Sequence, residues 1–161
     1  MRLPFSDDLI VTNGFDLEMA MLADRHYSRR TPGARQFLNN GRKLVIRDAA
    51  GLVLFGWILA KEGMRFDDQE GYNCAIFRNE SARRSSDIIL ECERLAIDKW
   101  GPNRMYTYVN PAKLHRPKRR GREYCPWPAG RCFLEAGWKN ARNEDGTIRI
   151  SEAGQHLLFK E

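Results

Sequence analysis

The chain has 161 residues, of which 42% are apolar, and we predict a single domain over residues 1–161. It contains no uninterrupted run of about 18 apolar residues, and its N-terminus lacks the basic and long apolar regions of a signal peptide. We therefore expect a cytoplasmic protein without a transmembrane helix. The net charge of +6 and the pI of about 9.4 favour a polyanionic partner.

The basic residues are concentrated in two blocks without any acidic residue, one within residues 25–47 and one within residues 113–122. Blocks of like charge repel themselves unless a partner or solvent neutralises them. We interpret these blocks as contacts to a nucleic-acid backbone, and the alternative is the solvated surface of a basic protein. The residues predicted to contact DNA are Ser28, Arg29, Arg30, Arg35, Lys118, Arg119, Arg120, Arg122 and Trp127.

The first predicted element is a helix over residues 15–27. Leu17, Met21 and Leu22 recur in it at helical spacing. Asp16 suits the positive N-terminal end of a helix. A proline and a glycine shortly after residue 30 then end the helix.

A hairpin is predicted next, with strands over 43–48 and 52–61 and a turn at 49–51. Both alternating sets of residues in the second strand are apolar, which indicates a strand that is buried on both faces. A polar loop and a further strand over 72–77 follow.

The second half predicts two helices, three strands and a long basic loop. In chain order these are helix 86–100, strand 104–110, loop 113–122, helix 129–136 and a pair of strands at 147–150 and 155–160. Ile88, Cys92, Leu95 and Ala96 share one face of the longer helix, and Gly137 ends the shorter helix. The order predicts an α/β (α+β) fold with a central mixed, mostly antiparallel sheet flanked by helices.

This order resembles the GNAT fold of acyl-CoA N-acyltransferases, and the string Phe133-Leu134-Glu135-Ala136-Gly137-Trp138 resembles a late motif of that family. The resemblance implies acetyl-CoA or a related acyl donor as cofactor. It also implies a loop after the fourth strand whose amides, followed by a helix N-terminus, hold the pyrophosphate. The cofactor-binding residues predicted in this way are Asn79, Arg83, Arg84, Ser85, Ser86 and Asn110.

The chain departs from this family at two points. The glycine-containing pyrophosphate loop is replaced by Ser86, Asp87 and Ile88, and Asp87 adds a negative charge. Phe133 stands at the position of the family's general-acid tyrosine, and Tyr124 is the nearby candidate to replace it.

Three further strings resemble the Mom-like DNA modification proteins of phages, which are divergent members of the same fold. These strings are His26-Tyr27-Ser28-Arg29-Arg30, Cys74-Ala75-Ile76-Phe77-Arg78-Asn79-Glu80 and Ser85-Ser86-Asp87-Ile88-Ile89. The resemblance implies transfer of a carbamoylmethyl or acyl-type group to adenine N6, which protects DNA from restriction. The partner would be double-stranded DNA with an extruded adenine, because the N6 amine is not accessible inside the stack.

The catalytic residues predicted on this basis are His26, Tyr27, Arg78 and Tyr124. His26 is interpreted as a general base or a metal ligand, and Tyr27 as a proton donor or a stacking platform. The alternative for His26 is a cation at a helix C-terminus. The alternative for Arg78 is an ordinary surface pair with the nearby Glu80.

Two serines and two tyrosines each fit two interpretations. We expect Ser85 or Ser86 to cap the long helix, whether or not either also contacts a phosphate. Tyr106 and Tyr108 fit either base stacking or the core, and the core is favoured for at least one of them.

The sequence predicts no structural zinc site, because its four cysteines form no C-x-x-C pair. An iron ion at His26 and a homodimer are open alternatives. Two rival functions also stand: an acetyl-CoA-dependent N-acetyltransferase acting on a small amine or protein, and a non-catalytic DNA-binding module.

Overall fold

The computed structural model describes residues 8–38, 41–60, 69–113, 118–123 and 128–161, with the backbone alone at 118, 119, 122 and 123. Its helices are α1 (Leu17–Asp24), α2 (Ser85–Trp100) and α3 (Arg131–Glu135). Its strands are β1 (Ile10–Thr12), β2 (Arg42–Arg47), β3 (Val53–Leu59), β4 (Tyr72–Asn79), β5 (Met105–Val109), β6 (Lys118–Arg119), β7 (Arg122–Glu123), β8 (Lys139–Asn140) and β9 (His156–Lys160).

The fold is α+β and is built on a seven-stranded mixed sheet in the order β1-β2-β3-β4-β5-β9-β8. Only β4 and β5 pair in parallel among these strands, and every other pair is antiparallel. This confirms the predicted α+β class and the mixed, mostly antiparallel sheet. The single domain over residues 1–161 stays a prediction, because the described ranges leave gaps.

The two faces of the sheet carry two apolar cores. On one face, α2 and α3 pack through Ile88, Cys92 and Phe133 onto the sheet. On the other face, α1 packs with Phe37 and Leu38 onto β2, β3 and β4. Within the described residues, three α-helices thus give the sheet only a thin helical cover, which is less than the predicted flanking helices implied.

Strand β3 lies at the centre of both cores. Its residues are buried on both faces, as the continuous apolar run from Val53 to Ile58 predicted. Helix α2 confirms the predicted apolar face, since Ile88, Cys92 and Ala96 are fully buried.

The prediction for the first helix was wrong in its end and in its buried face. Helix α1 ends at Asp24, so His26 and Tyr27 lie in the segment after the helix. Leu17 and Met21 are 69% and 65% exposed, while the core contacts come mainly from the opposite side of the helix. The helix is apolar on both sides, so spacing alone could not identify the packed face. Asp16 caps α1 by accepting a hydrogen bond from the Met19 amide.

The predicted serine cap of the long helix was also wrong. The residue before the first turn of α2 is Arg84, which makes no side-chain capping hydrogen bond. Ser85 begins the helix, and its hydroxyl accepts a hydrogen bond from Asn79 Nδ2 at 3.0 Å. The serine side chain is therefore used to connect the helix to β4.

Two further predictions were wrong, and one strand was missed. The basic loop contains a short hairpin of β6 and β7 around the turn at Arg120, which has a φ of 53°. The last strand pairs with β8 and β5, whereas residues 148 and 150 form only isolated bridges. Strand β1 at the sheet edge was not predicted, because three residues are too few for a period to be recognised.

Within the described ranges, no helix combines the length and the apolar character that a membrane crossing requires.

Candidate active site between the carboxyl ends of β4 and β5

The two parallel strands of the sheet separate before they end. Their register covers Tyr72–Cys74 of β4 and Met105–Thr107 of β5, and β4 then continues to Asn79 beside β3. The Thr107 hydroxyl donates to the Cys74 carbonyl at 2.8 Å, at the last paired position. A gap therefore opens between the carboxyl ends of the two strands, which is where open α/β sheets bind their ligands.

A β-bulge coincides with this separation. On the β3 side of β4, Gly56 lies opposite Ile76 and Trp57 lies opposite Cys74, so Ala75 is the extra residue. A bulge bends its strand and increases the local twist, and bulges are common next to active sites. Gly56 has no room for a side chain, since a Cβ there would lie 2.9 Å from Ile76 Cγ2.

The segment that follows α1, residues 25–28, connects the two separated strand ends. Arg78 at the end of β4 donates from Nη1 to the Arg25 carbonyl at 2.7 Å. The amide of Asn110, immediately after β5, donates to the Tyr27 hydroxyl at 3.5 Å. The predicted catalytic residues His26, Tyr27 and Arg78 are thus brought together, and Asn110 joins them rather than the 79–86 loop.

His26 and Tyr27 form a stacked pair. Their ring centroids are 4.4 Å apart with an interplanar angle of 28°. His26 Nδ1 accepts a hydrogen bond from the Ser28 amide at 3.1 Å and lies 2.7 Å from the Ser28 hydroxyl oxygen. Because an amide can only donate, Nδ1 is the unprotonated nitrogen of the neutral ring and Nε2 carries the proton.

Two effects hold His26 in its neutral form at pH 7. Burial and, to a smaller extent, the nearby positive charge of Arg78 together lower the pKa of the imidazole to about 4. The ring is therefore not the helix-capping cation of the alternative interpretation. It offers a hydrogen-bond donor at Nε2.

Burial disfavours the charged form of Tyr27 as it does that of His26, but it shifts the pKa of the tyrosine in the opposite direction. It raises the pKa of the phenol, and the Asn110 amide offsets this effect only in part. The phenol thus keeps its proton at neutral pH. Because its oxygen already accepts from Asn110, the Tyr27 hydroxyl is a proton donor at the opening between the strands.

The carboxylate of Glu80 joins two arginines beside this pair. Arg25 donates to both of its oxygens, from Nε at 3.0 Å and from Nη2 at 3.2 Å. Arg78 Nε donates to the same carboxylate. Hydrogen bonds from Arg78 and then Arg25 hold the pKa of Glu80 below its usual value. The surface pair weighed for Arg78 is therefore present, and it also includes Arg25.

The loop between β4 and α2 is organised by Asn79. Its Oδ1 accepts from the amide and the hydroxyl of Ser81, at 3.0 Å and 2.6 Å. Its Nδ2 donates to the Arg83 carbonyl at 2.8 Å, and the Arg83 amide donates to the Ser81 hydroxyl at 3.2 Å. Two loop amides that a pyrophosphate would need are therefore already satisfied within the loop.

The charged groups near this loop fit an ordinary acyl-CoA site poorly. Arg83 pairs with Glu91 at 2.8 Å, and Arg84 lies 3.5 Å from Glu135. Asp87 adds an acidic group to the first turn of α2. The uncapped helix N-terminus does favour an anion. Nevertheless, the glycine-free loop with its internally used amides does not match a coenzyme A pyrophosphate.

The residues predicted to contact DNA divide into two groups. Arg30 and Arg35 are exposed on the first basic block. Arg29 is different, because its guanidinium is only 6% exposed and pairs with Asp24 at 2.7 Å. It also donates to the carbonyls of Gln36 and Ala34, so it closes the loop after α1 instead of facing a phosphate.

The second basic block is described only in part. Arg120 is exposed at the tip of the β6–β7 hairpin. The side chains of Lys118, Arg119 and Arg122 lie outside the described residues, as do Tyr124 and Trp127. Tyr106 is buried at 4% exposure and Tyr108 is half-buried, so the core interpretation holds for Tyr106.

Among the described residues, no three histidine, cysteine or acidic side chains are grouped closely enough to hold a metal ion. Cys74 and Cys92 are buried free thiols, and Cys132 is partly buried. Burial raises the pKa of all three, to about 11 for Cys132, so these thiols stay protonated at neutral pH.

The sequence interpretation treated Glu80 only as a surface partner of Arg78 and did not identify its contact with Arg25. Glu80 follows Arg78 closely in sequence, but its partner Arg25 is 55 positions away. No local signal indicates this contact, because Arg25 directly follows Asp24, an acidic residue that instead pairs with Arg29.

No protein-family model matches the chain, and neither a curated protein nor a solved structure matches it significantly. Membership of the GNAT fold or of the Mom-like proteins therefore stays a prediction. The function has to be inferred from the chemistry at the ends of β4 and β5.

Proposed function

We propose that this protein is a GNAT-like transferase that modifies adenine N6 in DNA, as the Mom-like proteins do. The observation that carries the proposal is the stacked His26–Tyr27 pair in the opening between β4 and β5. In this proposal the opening receives an extruded adenine, and the two basic blocks hold the adjacent phosphates.

The order of elements supports the GNAT-like part of the proposal. The fourth strand leads through a short loop into a long helix, and the strand beside it is parallel and diverges from it. The bulge at Ala75 widens the same opening. These features agree with a fold that accepts a ligand between its fourth and fifth strands.

The protonation states support roles for the two rings. When a bond forms to N6, negative charge develops on the donor group or its leaving atom. The neutral His26 donates from Nε2 and Tyr27 donates from its hydroxyl, and both stabilise such charge. A general-base role for His26 requires the other tautomer, which the Ser28 amide disfavours. Removal of the N6 proton then falls to another group, for which Tyr124 is the candidate from sequence.

The donor of the transferred group is left open in this proposal. The 79–86 loop does not suit the pyrophosphate of acetyl-CoA, since its amides are used by Asn79 and Ser81. This also weakens the rival function of an ordinary acetyl-CoA-dependent N-acetyltransferase. The rival of a non-catalytic DNA-binding module is compatible with the basic blocks, but it leaves the half-buried, neutral His26 without a role.

The test is mass spectrometry of nucleosides from DNA of cells that express the protein. We expect an adenosine derivative with added mass on N6, absent from cells with an empty vector. Unmodified nucleosides together with salt-dependent DNA binding would favour the non-catalytic rival. Stabilisation against heat by acetyl-CoA but not by duplex DNA would favour the acetyltransferase.

Two variants of Tyr27 separate proton donation from stacking. Tyr27→Phe keeps the ring against His26 and removes the hydroxyl, so we expect modification to fall on the order of a hundredfold with DNA affinity unchanged. Tyr27→Leu removes the ring as well and is expected to weaken DNA binding in addition. Thermal unfolding of both variants controls for loss of the fold.

A further inference from the structure

We propose that Arg25 and Arg78 form a binding site for a phosphate group, and that Glu80 occupies this site as an internal substitute until a phosphate displaces it. The proposal rests on the proposed function for one point, the identification of that phosphate as a phosphodiester of DNA beside the extruded adenine. The site itself stands on the contacts of these three residues.

The geometry around Glu80 is that of a two-arginine anion site. One carboxylate accepts three N–H donors, two from Arg25 and one from Arg78. The planar fork of a guanidinium matches phosphate and carboxylate oxygens equally well. Arg78 is also fixed by its bond to the Arg25 carbonyl, so the two guanidinium groups are held together by more than the anion.

The charges at this position are not balanced. Two guanidinium groups face one carboxylate, which leaves one net positive charge. Arg30 and Arg35 follow Arg25 in the same basic block of the sequence, and both are exposed. A phosphodiester at this position meets a positively charged surface directly beside His26.

The carboxylate is accessible to an incoming ligand. The side chains of Arg25, Arg78 and Glu80 are 51%, 32% and 30% exposed. Pairs at such exposure contribute little to stability, so their exchange for another anion costs little. The Glu80 amide is bonded to the Leu52 carbonyl at 2.8 Å, so the side chain can turn away while the backbone stays in place.

Other arginines near the N-terminal helix do not share this property. The guanidinium of Arg29 is 6% exposed and that of Arg47 is 11% exposed, and each is enclosed by its acidic and carbonyl partners. These two pairs are structural. Exchange is therefore expected at Glu80 and not at the acidic partners of Arg29 and Arg47.

The test is the affinity of a Glu80→Gln variant for a short DNA duplex, measured by fluorescence anisotropy between about 50 and 200 mM salt. Glutamine keeps the shape of the side chain and removes the competing charge. We expect binding to tighten about fivefold. The slope of log K against log salt should steepen, because the variant has no released carboxylate to offset the charge of the two arginines once the phosphate is bound.

Two matched variants control for simpler effects. Glu152→Gln removes one negative charge at an exposed position and measures the effect of net charge alone. Glu18→Gln removes a carboxylate that pairs with Arg47 and measures the release of an arginine elsewhere. We expect neither to change the slope. In the Arg25→Gln background, the gain from Glu80→Gln should disappear.

Several outcomes decide the proposal. An affinity of Glu80→Gln that matches that of Glu152→Gln for both DNA and coenzyme A, or that falls below that of the unchanged protein for both, would overturn it. A gain that persists without Arg25 would also overturn it. A gain for coenzyme A with none for DNA would support the phosphate site and assign the phosphate to a cofactor. A gain for DNA without any modified adenine would retain the site and remove the proposed function.

Discussion

Two glutamates, Glu93 within α2 and Glu80 directly after β4, show how burial decides the role of a carboxylate. Glu93 in α2 is 7% exposed, and it accepts from Trp138 Nε1 at 2.6 Å and from Lys160 Nζ at 2.8 Å. The side chain of Glu80 is 30% exposed and pairs with two arginines, Arg25 and Arg78. The first carboxylate is enclosed by the core, whereas the second can exchange its partners with a ligand.

The position of Glu93 explains why it is fixed. Glu93 in α2 binds Lys160 in the last strand. Lys160 in turn donates to the carbonyl of Ala136, the residue directly after α3, at 2.9 Å. A charge in the core that loses its partners has no water to replace them. Glu80 lies where water can replace either arginine, so its contacts position the 25–28 segment and contribute little to folding.

The largest expected effect is that of Glu93→Ala. It leaves the Trp138 indole without its acceptor and Lys160 with the Ala136 carbonyl alone. We expect the free energy of unfolding to fall by about 3–4 kcal/mol. Urea denaturation followed by tryptophan fluorescence measures the change. Glu144→Ala at an exposed position is the control and should change the unfolding free energy only slightly. A loss for Glu93→Ala as small as that of the control would contradict the structural role.

Trp138→Phe should have an intermediate effect. The smaller ring still packs against Phe133, but Glu93 loses its 2.6 Å hydrogen bond. We expect a loss of about 1.5–3 kcal/mol, as for other hydrogen bonds to charged groups. The same denaturation experiment measures it. Lys160 should retain its contact with Glu93, so a loss exceeding that of Glu93→Ala is inconsistent with this arrangement.

Glu80→Gln should change stability by less than about 1 kcal/mol, because its ion pairs are exposed. Thermal unfolding at low and high salt checks this, and the small difference should shrink further as salt screens the pair. A large loss of stability would mean that Glu80 belongs with Glu93 as a structural residue. The phosphate-exchange proposal would then lose its basis.

The smallest effect is expected for Arg78→Met, measured by NMR titration of His26. The unchanged protein should titrate with a pKa of about 4. Removal of the Arg78 charge should raise that pKa only in part, since burial is the larger cause. A return to the usual value near 6.5 would show instead that the charge dominates.

The same titration predicts how His26 affects stability. Its pKa is lower in the folded state, so the unfolded chain binds a proton first as the pH falls below about 6.5. His26 therefore contributes to a decrease in stability between that pH and about 4. A His26→Gln variant should show a shallower decrease over this range.

The strands β2 to β5, the last strand β9 and the long helix could be predicted because their patterns are local. The apolar run of β3 and the spacing of Ile88, Cys92 and Ala96 indicate burial without any knowledge of the partner. The end of α1 and the cap of α2 could not be predicted in this way. Helix α1 is apolar on two sides, and the Ser85 hydroxyl could either cap the helix or accept a hydrogen bond from Asn79.

The sequence predicted several residues of the candidate site but not the contacts between them. His26, Tyr27 and Arg78 were selected by their resemblance to short strings, and the structure brings them together at the opening between β4 and β5. Arg29 looked equivalent to its neighbour Arg30 in sequence, yet it is enclosed by Asp24 and two carbonyls. Only the path of the chain after α1 distinguishes the two.

The amino-acid sequence by itself determined the α+β class, the buried central strand, the apolar face of α2 and the two basic blocks, because these depend on composition and on neighbours a few positions apart. The tertiary structure alone decided that Arg25 and Arg78 share the carboxylate of Glu80, and that Tyr27 meets Asn110. The contact of Arg25 with Glu80 joins residues 55 positions apart, and that of Tyr27 with Asn110 joins residues 83 positions apart. The pairing of distant segments depends on how the chain is folded around the sheet, and the local propensities of residues do not predict it.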